Sequence, residues 1–493
     1  MNRFAKITGV LLIMVLAVVS VVYAEEDSIP GSGWWSGEMI QNVGTDTASV
    51  IVTAYGSGGS TYTASDSLAV DAARNFTPSD FTGMPDGFEG AAVVSSDQPI
   101  KAIVNVTNRE AAGFGVAGGE AAAQYQGIDG SAVAATLYFP MAKNDRFGKT
   151  TSFYIQNAGS AAATATAVFK MDDGGVYTYT TPSIDTSQMV IVTPDDAGVP
   201  TSGTNRNNIG SLTVSSSQSL AGVVMEYKTA ESPATLLQAT RGFTSNDFDT
   251  KLYAPTVKQD RYGRFTGIQV QNVEVSASIN VTITLVGSRG ACVGAQYVRT
   301  TSNLGPGESH TFNQIAGQDG EMVDNCAASA TIEGTGNIVA VVSESFTSAE
   351  VGAGTKQAST TYSAFPDKSA TTQISVPMYK ENRFSKYTGL VIQNVGTVDA
   401  TNVVITFIGA AGASAGNTYT TLPQTISAGG SIELSRVSDK TGFWDGTSGV
   451  SDATYGIKVN ADQNVVAIAN EAVFPGATLA QDKNNYEGFN LTP

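Results

Sequence analysis

The chain has 493 residues but only one histidine, two cysteines and three tryptophans, and 14% of its side chains are charged. Such scarcity excludes most nucleophile–base arrangements, which need an imidazole or a thiolate beside the attacking group. The lone histidine, His310, occupies the strand position that matches Ile432 in a later repeat, and is expected at a core edge. Cys292 and Cys326 lie 34 positions apart with no further metal ligands at suitable spacing, so a disulfide is expected in an oxidising compartment. Basic charge is also short: 27 Lys and Arg against 44 Asp and Glu give a net charge of −17. Like-charge repulsion then argues against nonspecific binding to nucleic acid or anionic membrane. No cofactor is expected. Asp172-Asp173 and Asp195-Asp196 are flanked by Gly or Pro and read as turns, with weak calcium binding left open because neither supplies a run of alternating oxygen ligands.

Long apolar runs are absent except at the start. Arg3 and Lys6 precede an apolar stretch from Ile7 to Val22, and Val22-Tyr23-Ala24 places small residues where signal peptidase cuts. Residues 1–24 are therefore expected to be a signal peptide; the stretch is shorter than the ~20 residues of a spanning helix. Removal of Arg3 and Lys6 would leave 25 basic against 44 acidic side chains, a more acidic product still. No membrane span is expected in the mature chain, which is placed outside the cell, secreted or at the surface.

What the sequence has in abundance is glycine, 52 residues, and internal repetition. Gln-Asn recurs at Gln41-Asn42, Gln156-Asn157, Gln271-Asn272 and Gln393-Asn394, spaced 115, 115 and 122 residues apart. A second marker follows each time, an apolar run after a polar turn: QPIKAIVNV, QSLAGVVMEY, GNIVAVVSES and QNVVAIANEA. Between the markers apolar residues alternate with polar ones, as at Val281, Ile283 and Leu285, which is strand behaviour. Turn residues interrupt the runs often enough for about seven strands per copy, the rhythm of an immunoglobulin-like sandwich. The fold class expected is all-β: four tandem immunoglobulin-like modules of about 115 residues at 25–129, 130–246, 247–367 and 368–493. A propeller fits less well, because its blades need only ~40–50 residues. Ile128, Phe243 and Phe365 each precede a proline by twelve positions. Junctions of fixed length imply a semi-rigid rod.

The segments QNVGTVDATNVVITF (393–407) and ISAGGSIEL (426–434) resemble the bacterial cell-adhesion-related immunoglobulin-like surface repeats, with their N-x-G and later G-G-S patterns. The third copy departs from the pattern, with Glu274 in place of the glycine. The resemblance implies a surface or adhesive scaffold and carries no functional residue across.

A basic loop recurs in the last three copies as PMAKNDRFGKTTS, PTVKQDRYGRFTG and PMYKENRFSKYTG. It brings Lys143, Arg146 and Lys149; Lys258, Arg261 and Arg264; and Lys380, Arg383 and Lys386, with Phe147, Tyr262 and Phe384 after the middle arginine. Cations beside an aromatic can hold an anionic glycan or a carboxylate. They can equally pair internally, and Glu226, Glu344 and Glu471 occur in the same three copies, whereas the first copy has Val106 and no such loop. An internal pair, exemplified by Arg261 with Glu344, is the favoured reading. The first copy instead has Trp34 and Trp35, read as a core tryptophan in an atypical cap, as the edge of an incomplete sandwich that accepts a strand, or as a sugar platform. Asn75, Asn105, Asn280 and Asn490 begin Asn-x-Thr sequons. The function expected is a non-catalytic structural or adhesive surface protein. A carbohydrate-binding protein and a filament or surface-layer subunit are the alternatives. Partners are a protein or glycan at the cell surface, or further copies of the chain.

Overall fold

The computed structural model describes residues 10–12 and 29–490, apart from 32, 57, 71, 109–121, 202–205, 229–235, 316–321, 347–358, 384–385, 436–451 and 474–482. The described chain is all-β in several antiparallel sheets, with only short 3-10 turns such as Pro78–Asp80. No helix among the described residues is long and apolar enough to cross a membrane.

The first repeat comprises β1 (Val10–Leu12), β2 (Trp34–Asn42), β3 (Ala48–Gly56), β4 (Thr61–Leu68), β5 (Ala73–Phe76), β6 (Gly90–Ser96), β7 (Ile100–Asn108), β8 (Ala122–Gln126) and β9 (Ile128–Asp129). They form two sheets, ordered β4-β3-β6-β1-β9 and β5-β2-β7-β8. The second comprises β10 (Ala134–Lys143), β11 (Lys149–Asn157), β12 (Ala165–Met171), β13 (Val176–Thr180), β14 (Met189–Val192), β15 (Ile209–Lys228) and β16 (Leu237–Arg241). Here one 20-residue strand serves both halves: the start of β15 pairs with β10 and β12, its end with β11 and β16. Cys326–Phe346 and Ala453–Val473 do the same in the third and fourth repeats. In the first repeat this strand is cut into β6 and β7, and the residue before β7 is Pro99, which has no N–H to offer a ladder.

The Gln-Asn marker is a fastener. Each asparagine is buried, donates its amide to at least two carbonyls and accepts the N–H two residues on; Asn157, for example, reaches Ala161 O and Ile184 O at 2.8 Å each and the Gly159 N–H at 2.9 Å. The glycine two residues on is required by space: a Cβ on Gly159 would lie 2.3 Å from the Gln218 side chain. The third repeat inverts this pair. Gly336 stands where the others have Gln98, Gln218 or Gln463, and Glu274 fills the vacated room and accepts the Asn337 N–H at 2.7 Å.

The apolar stretch of the second marker is buried on both faces. Along β15, Leu220 and Val224 enter the core of their own repeat, whereas Ala221, Val223, Met225 and Tyr227 join a cluster with Val104 and Tyr125 of the first. Val339 and Val341 likewise meet Met141 and Phe243 of the second repeat, and Val466 and Ile468 enter the cluster of the third. The cycle then closes: Ile103 of the first repeat lies in the cluster of the fourth, and Gln126 Nε2 donates to Glu487 O at 2.9 Å. The equivalent strands β8, β16, Thr360–Ser363 and Lys483–Glu487 are neighbours in that cyclic order. A semi-rigid rod is thereby corrected to a closed ring. The junctions are of constant length, but successive repeats pack face to face, and the fourth lies against the first.

Candidate functional site

In the second repeat β10 ends at Lys143 and β11 begins at Lys149, and register places Thr151 of β11 opposite Glu226 of β15. The buried Glu226 carboxylate sits between the two ammonium groups: Lys143 Nζ donates to Oε2, and Lys149 Nζ lies 3.2 Å from Oε1. The third and fourth repeats build the same clasp. Glu344 is held by Lys258 at 2.6 Å and Arg264 at 2.9 Å, and Glu471 by Lys380 at 2.7 Å and Lys386 at 3.3 Å. The threonine opposite each glutamate accepts the backbone N–H of the first lysine, at 2.9–3.0 Å.

Burial alone would raise the Glu226 and Glu471 carboxyls, but the paired cations outweigh it; Glu471 is drawn down to about 2 and Glu226 below its usual value. Burial pushes the Lys258 ammonium down to about 7, with Arg264 beside it adding repulsion.

The pairing uses the first and third cations of each loop, so the expected Arg261–Glu344 partnership is replaced by Lys258 and Arg264. The middle arginine ties the loop to the start of the long strand instead. Arg146 reaches Asn208 at 3.4 Å, Arg261 reaches Asn325 at 2.6 Å, and Arg383 reaches Asp452 at 3.0 Å. Arg146 and Arg261 also stack on Phe147 and Tyr262, at 4.4 and 4.5 Å from the ring centroids. Those two aromatics adopt left-handed backbone angles, φ 54° each, and are 84% and 73% exposed. A bulky residue rarely accepts such a backbone. Phe384 lies outside the described residues.

Register shows what the first repeat has done without the clasp. Val106 stands where Glu226 stands in the second, and Trp34 where Lys149 stands. Two members of an ion triad are exchanged together for an apolar pair, both in the same core cluster. Trp34 is 1% exposed and its indole N–H donates to Pro30 O at 3.2 Å, so paired exposed tryptophans as a sugar platform are ruled out; Trp35 is half-buried.

Sequence reasoning missed Glu38. It falls three residues before Gln41, at the register position of Phe153, Ile268 and Leu390, and alignment on the Gln-Asn marker would have exposed it as a carboxyl on a core face. Glu38 is buried beside Ser36, whose hydroxyl has no hydrogen-bond partner among the described residues, near Phe81, Met84 and Phe88. Burial pushes its carboxyl up to about 8, with Asp80 adding repulsion. The space beside it is about one water molecule in size, too small for a substrate.

The remaining sequence candidates are placed as follows. Cys292 and Cys326 form a disulfide with Cα atoms 5.3 Å apart. His310 is half-buried, edge-on to Phe312 at 4.6 Å. Asp172 pairs with Arg206 at 2.6 Å, and Asp196 accepts the Thr193 N–H at 2.7 Å. Asn280 is exposed, and no cluster of three metal-ligating side chains occurs among the described residues.

No family model matches the chain, and no curated protein does. Among solved structures, the crystal structure of Thermotoga maritima 1070 is similar over 22% of this chain and 93% of that one, at 18% identity and a TM-score of 0.18. A tetra-tandem repeat from the extending region of a large adhesion protein is similar over 97% of this chain and 99% of that one, at 12% identity and a TM-score of 0.10. At such scores neither likeness bears on function.

Proposed function

We propose that the chain is an exported, non-catalytic structural protein of the cell surface, in which four immunoglobulin-like modules (25–129, 130–246, 247–367 and 368–493) make one closed ring. Its outer surface, not a pocket, meets protein or glycan partners. The observation that carries this reading is the closure itself: the inner sheets are covered on both faces by successive repeats, and the fourth repeat packs on the first. The use of the charged motif supports it, since Glu226, Glu344 and Glu471 are each consumed in holding a loop to a strand. Residues invested in this way fix geometry and are not presented to a substrate.

Small-angle scattering tests the shape. A compact ring of four modules has a radius of gyration of about 25 Å, whereas four such modules in line give about 40 Å. A value near the second would overturn the ring. Adhesive or carbohydrate contacts, if they involve the repeated motif, fall to the exposed Phe147 and Tyr262 with their stacked arginines. Retention on a glycan array that is lost on Tyr262→Ala would support the carbohydrate reading over the purely structural one.

A further inference from the structure

We propose that the first repeat is a strand acceptor: once residues 1–24 are removed, the slot between β6 and β9 takes an extended strand from a second polypeptide, with aliphatic residues at alternate positions. The inference rests on the export reading above.

The slot is defined by backbone pairing on both sides. β1 is antiparallel to β6, with Val10 opposite Ser95 and Leu11 opposite Val94, and antiparallel to β9, with Leu12 opposite Ile128. The other repeats fill the same slot with their own first strand. Leu137 lies opposite Val214, Leu252 opposite Ile332 and Ile374 opposite Val459, while Tyr138, Tyr253 and Ser375 meet Phe243, Phe365 and Phe489 at the repeat's end. Leu11 therefore holds the register position of Leu137, Leu252 and Ile374, each at most 1% exposed. In the first repeat that position belongs to the segment expected to be cleaved.

What remains after cleavage cannot fill it. Leu137 lies twelve residues before Lys149, whose register position in the first repeat is Trp34. Only nine residues, 25–33, would precede Trp34, and they begin Glu25-Glu26-Asp27. Three carboxylates are unsuited to a core position. The processed repeat would thus present two edges of unsatisfied backbone groups beside an apolar core, which is the condition for strand addition. Register also states the chemistry of the occupant. The inward positions are Leu137 and Phe139, Leu252 and Ala254, and Ile374 and Val376, so the donor must be apolar at every second residue. The mature N-terminus of another copy is acidic there, which points to a different polypeptide.

The test compares purified residues 25–493 with the full chain carrying Ala24→Leu, which blocks processing. The probe is a fluorescent peptide of residues 134–143. Its binding to 25–493, with slowed hydrogen exchange over residues 90–96, is the expected result. The full chain should not bind it, and neither should 25–493 bind a peptide carrying Tyr138→Pro, which lacks the N–H that reaches Phe243 O at 2.9 Å. Failure of 25–493 to bind the peptide, or equal binding by a scrambled peptide, overturns the proposal. N-terminal sequencing of the protein from its native envelope tests the export reading separately: a chain beginning at Met1 would overturn export and leave the measurement on 25–493 standing.

Discussion

Replacing Glu38 by glutamine removes an ionisable group from the core of the first repeat while keeping its shape. The carboxyl is buried and its pKa raised from 4.5 to about 8, so the folded state keeps a proton that the unfolded chain gives up. Below the unfolded value both states are protonated and stability is fully present. As pH rises from 4.5 to 7 the unfolded chain ionises alone, and at ~1.4 kcal/mol per unit the repeat loses roughly 3 kcal/mol. The loss levels off once pH passes the folded value near 8. Glu38→Gln should therefore match the parent in acid and exceed it increasingly toward neutral pH. Trp34 and Trp35 both lie in this repeat, so a Trp444→Phe background lets tryptophan fluorescence report its unfolding. Urea titrations of the full chain from about pH 4 to about pH 8.5 would measure the difference. A gap between variant and parent that stays constant over that range would refute the reasoning, because it would mean that the carboxyl titrates alike in both states.

Glu226→Val should cost about 3–5 kcal/mol by leaving two buried ammonium groups uncompensated, and adding Lys143→Met and Lys149→Trp should recover most of that loss. The comparison, read by calorimetry, asks whether the first repeat's apolar solution can be transplanted. The Glu471 carboxyl, lowered from 4.5 to about 2, contributes stability that is present above pH 4.5 and lost as pH falls toward 2. Glu471→Gln should flatten the acid limb of the stability profile of the fourth repeat. Replacing Cys292 and Cys326 by serine should cost roughly 3–4 kcal/mol, the loop-closure value for a separation of 34 residues, measured by denaturant unfolding against the oxidised parent.

The first repeat differs from the others by linked changes rather than by decay. Loss of the basic loop goes with Val106 and Trp34, a proline divides the long strand, and a glutamate enters the core at position 38. A similar linkage links Glu274 to Gly336 in the third repeat. In both cases the partner is distant in sequence and adjacent in space, so each exchange conserves volume or charge at one contact.

Period-two alternation and turn residues were enough to read all-β structure, because those signals are local: a strand's faces alternate whatever it later packs against. The disulfide and the joint presence of loop and glutamate were legible too, since comparison of copies stands in for spatial contact. Which cation meets the glutamate was not. Lys258 and Arg264 flank a tight loop whose left-handed residues turn Arg261 away, and that geometry has no sequence period. Nor could the chain reveal that its last repeat packs on its first. The apolar runs that read as ordinary strands are buried on both faces, and only packing decides that the second face of each belongs to the preceding repeat.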